Sequence, residues 1–129
     1  VTKRRPVVAV VDDDPRLLES LEDLLESAGY VARSFSSAGS LLVDGLSGVD
    51  VLITDIGMPG MDGFELRDLV KKARPELRVF LITGRHEIAD QYRARGISGF
   101  FRKPFDGQAL LAAVSDALRN QETEDKHES

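Results

Sequence analysis

The run Val7-Val8-Ala9-Val10-Val11 is apolar at every position and then stops abruptly on Asp12-Asp13. A strand with one wet face alternates polar and apolar residues. Five apolar residues in succession instead describe a strand buried on both faces, the kind found in parallel sheets covered by helices above and below. Similar short runs recur at residues 31–35, 50–54, 79–82 and 99–102, each separated from the next by a stretch with helical periodicity. Five βα units of this size predict an α/β fold, an open, doubly wound, five-stranded parallel sheet of flavodoxin-like order 2-1-3-4-5.

The intervening segments carry helix punctuation. Asp14-Pro15 reads as N-cap and first helical residue, Leu17, Leu18, Leu21, Leu24, Leu25 and Ala28 form an apolar stripe, and Gly29 is the stop. A weaker helix is expected over 38–46, where Gly39 and Gly45 lower the propensity. Asp62 and Glu65 are spaced as a capping box; the helix they open is expected to turn Phe64, Leu66, Leu69 and Val70 inward before Pro75 ends it. Residues 86–95 offer only Ile88, Ala89 and Tyr92 as an apolar face, which predicts a fourth helix of low local stability. The last helix begins at Asp106 and buries Leu110, Leu111, Val114 and Leu118. Polar sequence from Asn120 onward predicts fraying, so the reading is one globular domain over 1–120 and a polar tail or the start of a linker over 121–129.

Charge narrows the function classes. A net charge of −5 argues against direct nucleic-acid binding by this domain, and Lys3-Arg4-Arg5 reads as a solvated terminus. With no cysteine, thiolate metal sites and disulfides are excluded. No stretch reaches the roughly 20 apolar residues of a membrane span, and the expected location is the cytoplasm.

In the predicted topology Asp12 and Asp13 at the end of the first strand meet Asp55 at the end of the third, where strand order reverses. Thr83 ends the fourth strand and Lys103 follows the fifth. Acidic groups crowded at buried strand ends are unfavourable alone, because they repel and lose water. Asp14 already supplies the helix cap, so Asp12 and Asp13 need another explanation. Hard carboxylate oxygens without Cys or paired His suit Mg²⁺. An aspartate beside such an ion can attack a phosphoryl group, while Lys103 and the Thr83 hydroxyl meet the transferred oxygens. His86 and His127 have no ligand partner in sequence reach and read as surface residues; Met58, Met61 and Phe101 read as packing.

The segments Val10-Val11-Asp12-Asp13-Asp14-Pro15, Asp55-Ile56-Gly57-Met58-Pro59-Gly60-Met61-Asp62-Gly63, Leu81-Ile82-Thr83-Gly84, Gly99-Phe100 and Lys103-Pro104-Phe105 stand in the order and spacing of one family. Over nearly its whole length the chain resembles the CheY-like receiver domain of two-component response regulators. The resemblance implies that Asp55 accepts a phosphoryl group from a histidine kinase or histidine phosphotransfer protein in a phosphorelay. It implies Mg²⁺ held by Asp12, Asp13, Asp55 and the backbone carbonyl of Gly57, and a cis Lys103-Pro104 peptide. It further implies a switch in which Thr83 moves toward the phosphoryl group and Phe100 turns inward. The surface of the fourth helix, fifth strand and last helix then changes its contacts with an output domain, a downstream protein or a second copy in a phosphorylation-dependent homodimer. Such a protein is a signalling switch rather than an enzyme, catalysing only its own phosphorylation and dephosphorylation.

Three departures bear on rates. Gly57 opens the acyl phosphate to water, Gly84 leaves the phosphoryl pocket uncrowded, and Phe100 lacks the hydroxyl of the frequent tyrosine; Arg85 either lies across the site to counter the first two or is solvated. Competing readings are a Mg²⁺-dependent phosphohydrolase, for which no cap segment is present, and a flavin module, disfavoured by the absence of tryptophan and of a Ser/Thr-rich loop after the first strand. A degenerate receiver used only as a binding platform is disfavoured by the complete acidic set.

Overall fold

In a computed structural model of the chain, residues 4–84 and 98–128 are described, with side chains through Arg119. The elements follow the order β1 (Val7–Val11), α1 (Pro15–Ser27), β2 (Val31–Phe35), α2 (Ala38–Asp44), β3 (Val51–Asp55), α3 (Gly63–Ala73), β4 (Arg78–Thr83), β5 (Gly99–Arg102) and a last helix (Gly107–Glu128). The five strands pair in parallel as β2-β1-β3-β4-β5, as the alternation of runs predicts. The expectations for Arg85, His86 and the 86–95 segment lie outside the described residues, as does the His127 side chain.

The sheet divides the core in two. Residues facing one side, among them Ala9, Val11, Leu52, Val79 and Leu81, pack with Leu41 of α2 and Leu66 and Val70 of α3. Their neighbours along each strand, Val8, Val10, Val51, Ile53, Phe80 and Ile82, pack with Leu21 and Leu25 of α1 and Leu110 and Val114 of the last helix. This is the period-2 alternation of a strand with both faces buried, which is why β1 is apolar throughout and β3 is apolar from Val51 to Ile53.

Several boundaries and faces differ from the sequence reading. β3 and β4 run on to include Asp55 and Thr83, because Asp55 still pairs with Ile82 across the ladder. α2 ends at Asp44 rather than 46, where Gly45 takes φ +96°. Leu69 is 41% exposed, and the buried stripe of α3 is Gly63, Leu66, Arg67 and Val70 at i, i+3, i+4 and i+7. Arg67 keeps that place by laying its guanidinium 5.4 Å from the Phe64 ring centroid and pairing with Asp68 at 2.9 Å. Ala28 is exposed, being the C-cap rather than part of the stripe of α1. The last helix continues to Glu128 in place of the expected fraying after 120. Residues 120–128 contain neither Gly nor Pro and are rich in good helix formers, so nothing local stops it.

The rim at the strands' amino ends is basic and braced. Arg4 grips Asp50 with two hydrogen bonds of 2.9 and 2.7 Å, and Arg5 donates to the carbonyls of Gly29 and Tyr30. Arg4 and Arg5 are exposed, as a solvated terminus requires, but they are also tethered by these contacts; Lys3 lies outside the described residues. Asp50 in turn accepts the Val7 N–H at 2.7 Å, fixing where β1 begins. Arg74 closes the same end by donating to the Leu46 and Val49 carbonyls.

Candidate functional site

The opposite rim, at the carboxyl ends of the strands, is acidic. β1 delivers Asp12 one residue past its last apolar position, fully buried, with its N–H donating to the Phe35 carbonyl at 3.1 Å. Asp12 Oδ1 accepts the Asp14 N–H at 2.8 Å, which locks the turn into α1, while Asp14's own side chain caps that helix. Asp13 points into solvent. β3 delivers Asp55, 5% exposed, as its terminal residue. Carboxylate oxygens of Asp12, Asp13 and Asp55 all lie within 4.8 Å of one another. The sheet order that makes β1 and β3 neighbours is what brings them together.

Lys103 reaches into this cluster from the loop after β5. Its Nζ donates to Asp12 Oδ2 at 3.0 Å and stands 3.4 Å from Asp55 Oδ1. Its backbone N–H donates to the Thr83 carbonyl at 2.8 Å, so the lysine loop is fastened to the end of β4. The Lys103-Pro104 peptide is cis. Thr83 is buried. Phe100 pairs with Leu81 and packs on the α2 and α3 side of the sheet, so by strand alternation it shares a face with Thr83. Gly57 lies exposed in the loop that follows Asp55.

The electrostatics follow from this crowding. Burial pushes the Asp55 carboxyl above the usual aspartate range, the negative charge of Asp12 adds to the rise, and Lys103 opposes it. Burial alone would depress the Lys103 ammonium, but its hydrogen bond to Asp12 and the charges of Asp55 and Asp12 outweigh that and raise it. Three carboxylates facing one ammonium leave the site two charges negative when all are ionised. Oxygen-only donors with this surplus fit one divalent hard cation.

The structure brings Asp12, Asp13, Asp55 and Lys103 together at this rim and ends β4 there with Thr83, while Gly57 lies in the loop after Asp55 and Phe100 lies within β5 on the sheet face of Thr83. Two contributors went unread. The Asp14 amide orients Asp12, and Gly63, the first residue of α3, sits against the backbone of Asp55. For Gly63 the available signal is a glycine directly after a capping aspartate, where a helix otherwise has little use for one. A cleft of about 570 Å³ also opens beside Lys103, walled by Leu17, Leu21 and Leu24 of α1 and by Pro104 and Phe105.

Comparison with known proteins agrees with this geometry. A family model described as response regulator receiver domain matches residues 8–115. Among curated proteins, the transcriptional regulatory protein GlrR of Escherichia coli K12 is 39% identical over 112 residues, covering 84% of this chain and 25% of that protein. The transcriptional regulatory protein FixJ of Bradyrhizobium diazoefficiens is 32% identical over 126 residues, covering 95% and 61%. The chain thus spans between a quarter and three-fifths of the length of these two relatives. Among solved structures, a CheY-like receiver domain protein from Methanospirillum hungatei JF-1 superposes with a TM-score of 0.86 at 27% identity, covering 94% of this chain and 99% of that one. NtrX from Brucella abortus superposes with a TM-score of 0.87 at 28% identity, covering 97% and 30%.

Proposed function

The chain belongs to the response regulator receiver domain family, and from that membership and the rim's chemistry we propose that Asp55 is a phosphoacceptor. The donor is the phosphohistidine of a histidine kinase or phosphotransfer protein. An Asp55 carboxylate oxygen forms a new P–O bond as the donor's P–N bond breaks, and the electron pair departs with the imidazole nitrogen.

Asp12, Asp13, Asp55 and the backbone carbonyl of Gly57 are the groups assigned to hold Mg²⁺, which when bound offsets the charge on the transferring oxygens. Lys103 does the same from the other side. Its ammonium, now shared between Asp12 and Asp55, is within reach of any oxygen attached to Asp55. The Thr83 hydroxyl is assigned to donate to a phosphoryl oxygen. Lys103 bridging two buried carboxylates is the single observation that carries the reading, because a structural ion pair needs only one of them.

The output follows from the attachment of Lys103 to β4. A phosphoryl group that engages Lys103 and Thr83 draws on the end of β4. Phe100 on the same sheet face is then the residue placed to report the change at the surface of β5 and the last helix. The partners on that surface are an output domain, a downstream protein or a second copy, and the setting is the cytoplasm. Among the described residues no helix is long and apolar enough to cross a membrane. The chain acts on itself, as a switch, rather than turning over a substrate.

Incubation with Mg²⁺ and acetyl phosphate followed by intact-mass measurement tests this. The wild type is expected to gain one phosphoryl group and Asp55→Asn none. Uptake that persists in Asp55→Asn, or no uptake by the wild type with several small donors, overturns the assignment.

A further inference from the structure

The turn between β3 and α3 is closed by several backbone hydrogen bonds centred on Ile56. The Ile56 carbonyl accepts two N–H groups, from Met58 at 3.1 Å and from Gly63 at 2.9 Å, while the Ile56 N–H donates to Ile82 on β4 at 2.9 Å. Asp62 and Glu65 complete a reciprocal capping box that holds the first turn of α3 in place. Gly63 then lies so close to the strand that a Cβ there would stand 2.4 Å from the Asp55 carbonyl oxygen and 2.8 Å from the Ile56 Cα. Both atoms are backbone, so no side chain can swing away to make room.

What would yield is settled by what is anchored. α3 is held by Leu66 and Val70, both fully buried. β3 is held between β1 and β4, but its ladder ends with the pair Asp55 and Ile82. The Asp55–Ile56 peptide is thus the last paired unit of the strand and the first of the loop. Pressure from a methyl group falls there, on the backbone that sets the direction of the Asp55 side chain. The geometry points to Gly63 as a positioning residue for the phosphoacceptor. Its missing side chain lets the start of α3 seat the Asp55 backbone so that the carboxylate stands 3.4 Å from Lys103 and beside Asp12. This rests on the phosphoacceptor reading of Asp55.

The test compares Gly63→Ala with Val70→Ala, which loosens the same helix about two turns away without touching Asp55. Both are followed by thermal melting and by the rate of phosphoryl uptake from acetyl phosphate at saturating donor and Mg²⁺. A small displacement of a reacting group is costly, so Gly63→Ala should lose about tenfold or more in this plateau rate, and Val70→Ala should stay within about twofold of wild type despite its lower melting temperature. Asp62→Ala, which frees the first turn without adding an atom near Asp55, should slow uptake severalfold and serves if Gly63→Ala does not fold. Wild-type rates in either folded variant, or equal slowing in Val70→Ala, overturn the positioning role while leaving Asp55 as acceptor. Absence of uptake by the wild type takes down both.

Discussion

Asp55→Asn should make the protein more stable when no divalent cation is present. The Asp12 and Asp55 oxygens lie within 4.8 Å, so at an effective dielectric of about 20 their repulsion is at least about 3.5 kcal/mol. Lys103 at 3.4 Å returns about 5 kcal/mol of attraction to Asp55 on the same scale. Asp13 adds a smaller repulsion because water screens it, and the burial of the Asp55 carboxylate costs several kcal/mol more. An amide keeps a hydrogen-bond acceptor for Lys103 while removing the charge. The balance favours the variant by about 1–2 kcal/mol, or roughly 4–8 °C in melting temperature for a chain of this size. The elevated Asp55 carboxyl fixes the sign with pH. The native state holds that proton more tightly than the unfolded chain does, so the penalty on the wild type is complete above the folded pKa. It fades as pH falls through that pKa toward the ordinary aspartate range of about 3.9. Melting in EDTA at several pH values, then with Mg²⁺, is the assay. The gap should close on acidification, and it should shrink with Mg²⁺ because the wild type gains more from the ion. An Asp55→Asn variant that melts at or below the wild type in EDTA at neutral pH would refute the reasoning.

Lys103→Met leaves Asp12 fully buried with no counter-charge and should cost about 2–4 kcal/mol in EDTA, part of it recovered by Mg²⁺; urea denaturation in both buffers would expose an error if stability were unchanged. On α3, Leu66→Ala should cost about 2–5 kcal/mol while Leu69→Ala stays within about 0.5 kcal/mol, and comparable losses at the two positions would mean that the helix faces the sheet in another register.

The strands were readable because β1 is apolar throughout and β3 is apolar from Val51 to Ile53, runs that suit a parallel sheet covered on both faces. Their last residues were less so. Asp55 looks like loop by polarity, yet it remains in the ladder, since the backbone pairs whatever the side chain carries. The face of α3 was misread at Leu69, and Arg67 was not read, for a related reason. Hydropathy ranks leucine inside and arginine outside, whereas a guanidinium lying along Phe64 can occupy the inner stripe at position i+4. The acidic site was legible because charge at the exit of a buried strand has few structural uses. Gly63 was not, because its role lies in an atom it lacks.

Lys103 ties these observations to the proposed switch. Its side chain is divided between Asp12 and Asp55, while its backbone N–H is committed to the Thr83 carbonyl. In the proposed phosphorylated form, a phosphoryl group on Asp55 would add charge and acceptor oxygens on one side of that divided ammonium and so would shift the balance toward Asp55. In that proposal, movement of the lysine loop would pass through the 2.8 Å hydrogen bond from Lys103 to the end of β4, and from there along the sheet face that Thr83 shares with Phe100. The coupling therefore needs no long pathway. It needs one residue with two attachments, one to the charge that changes and one to the strand that carries the change outward.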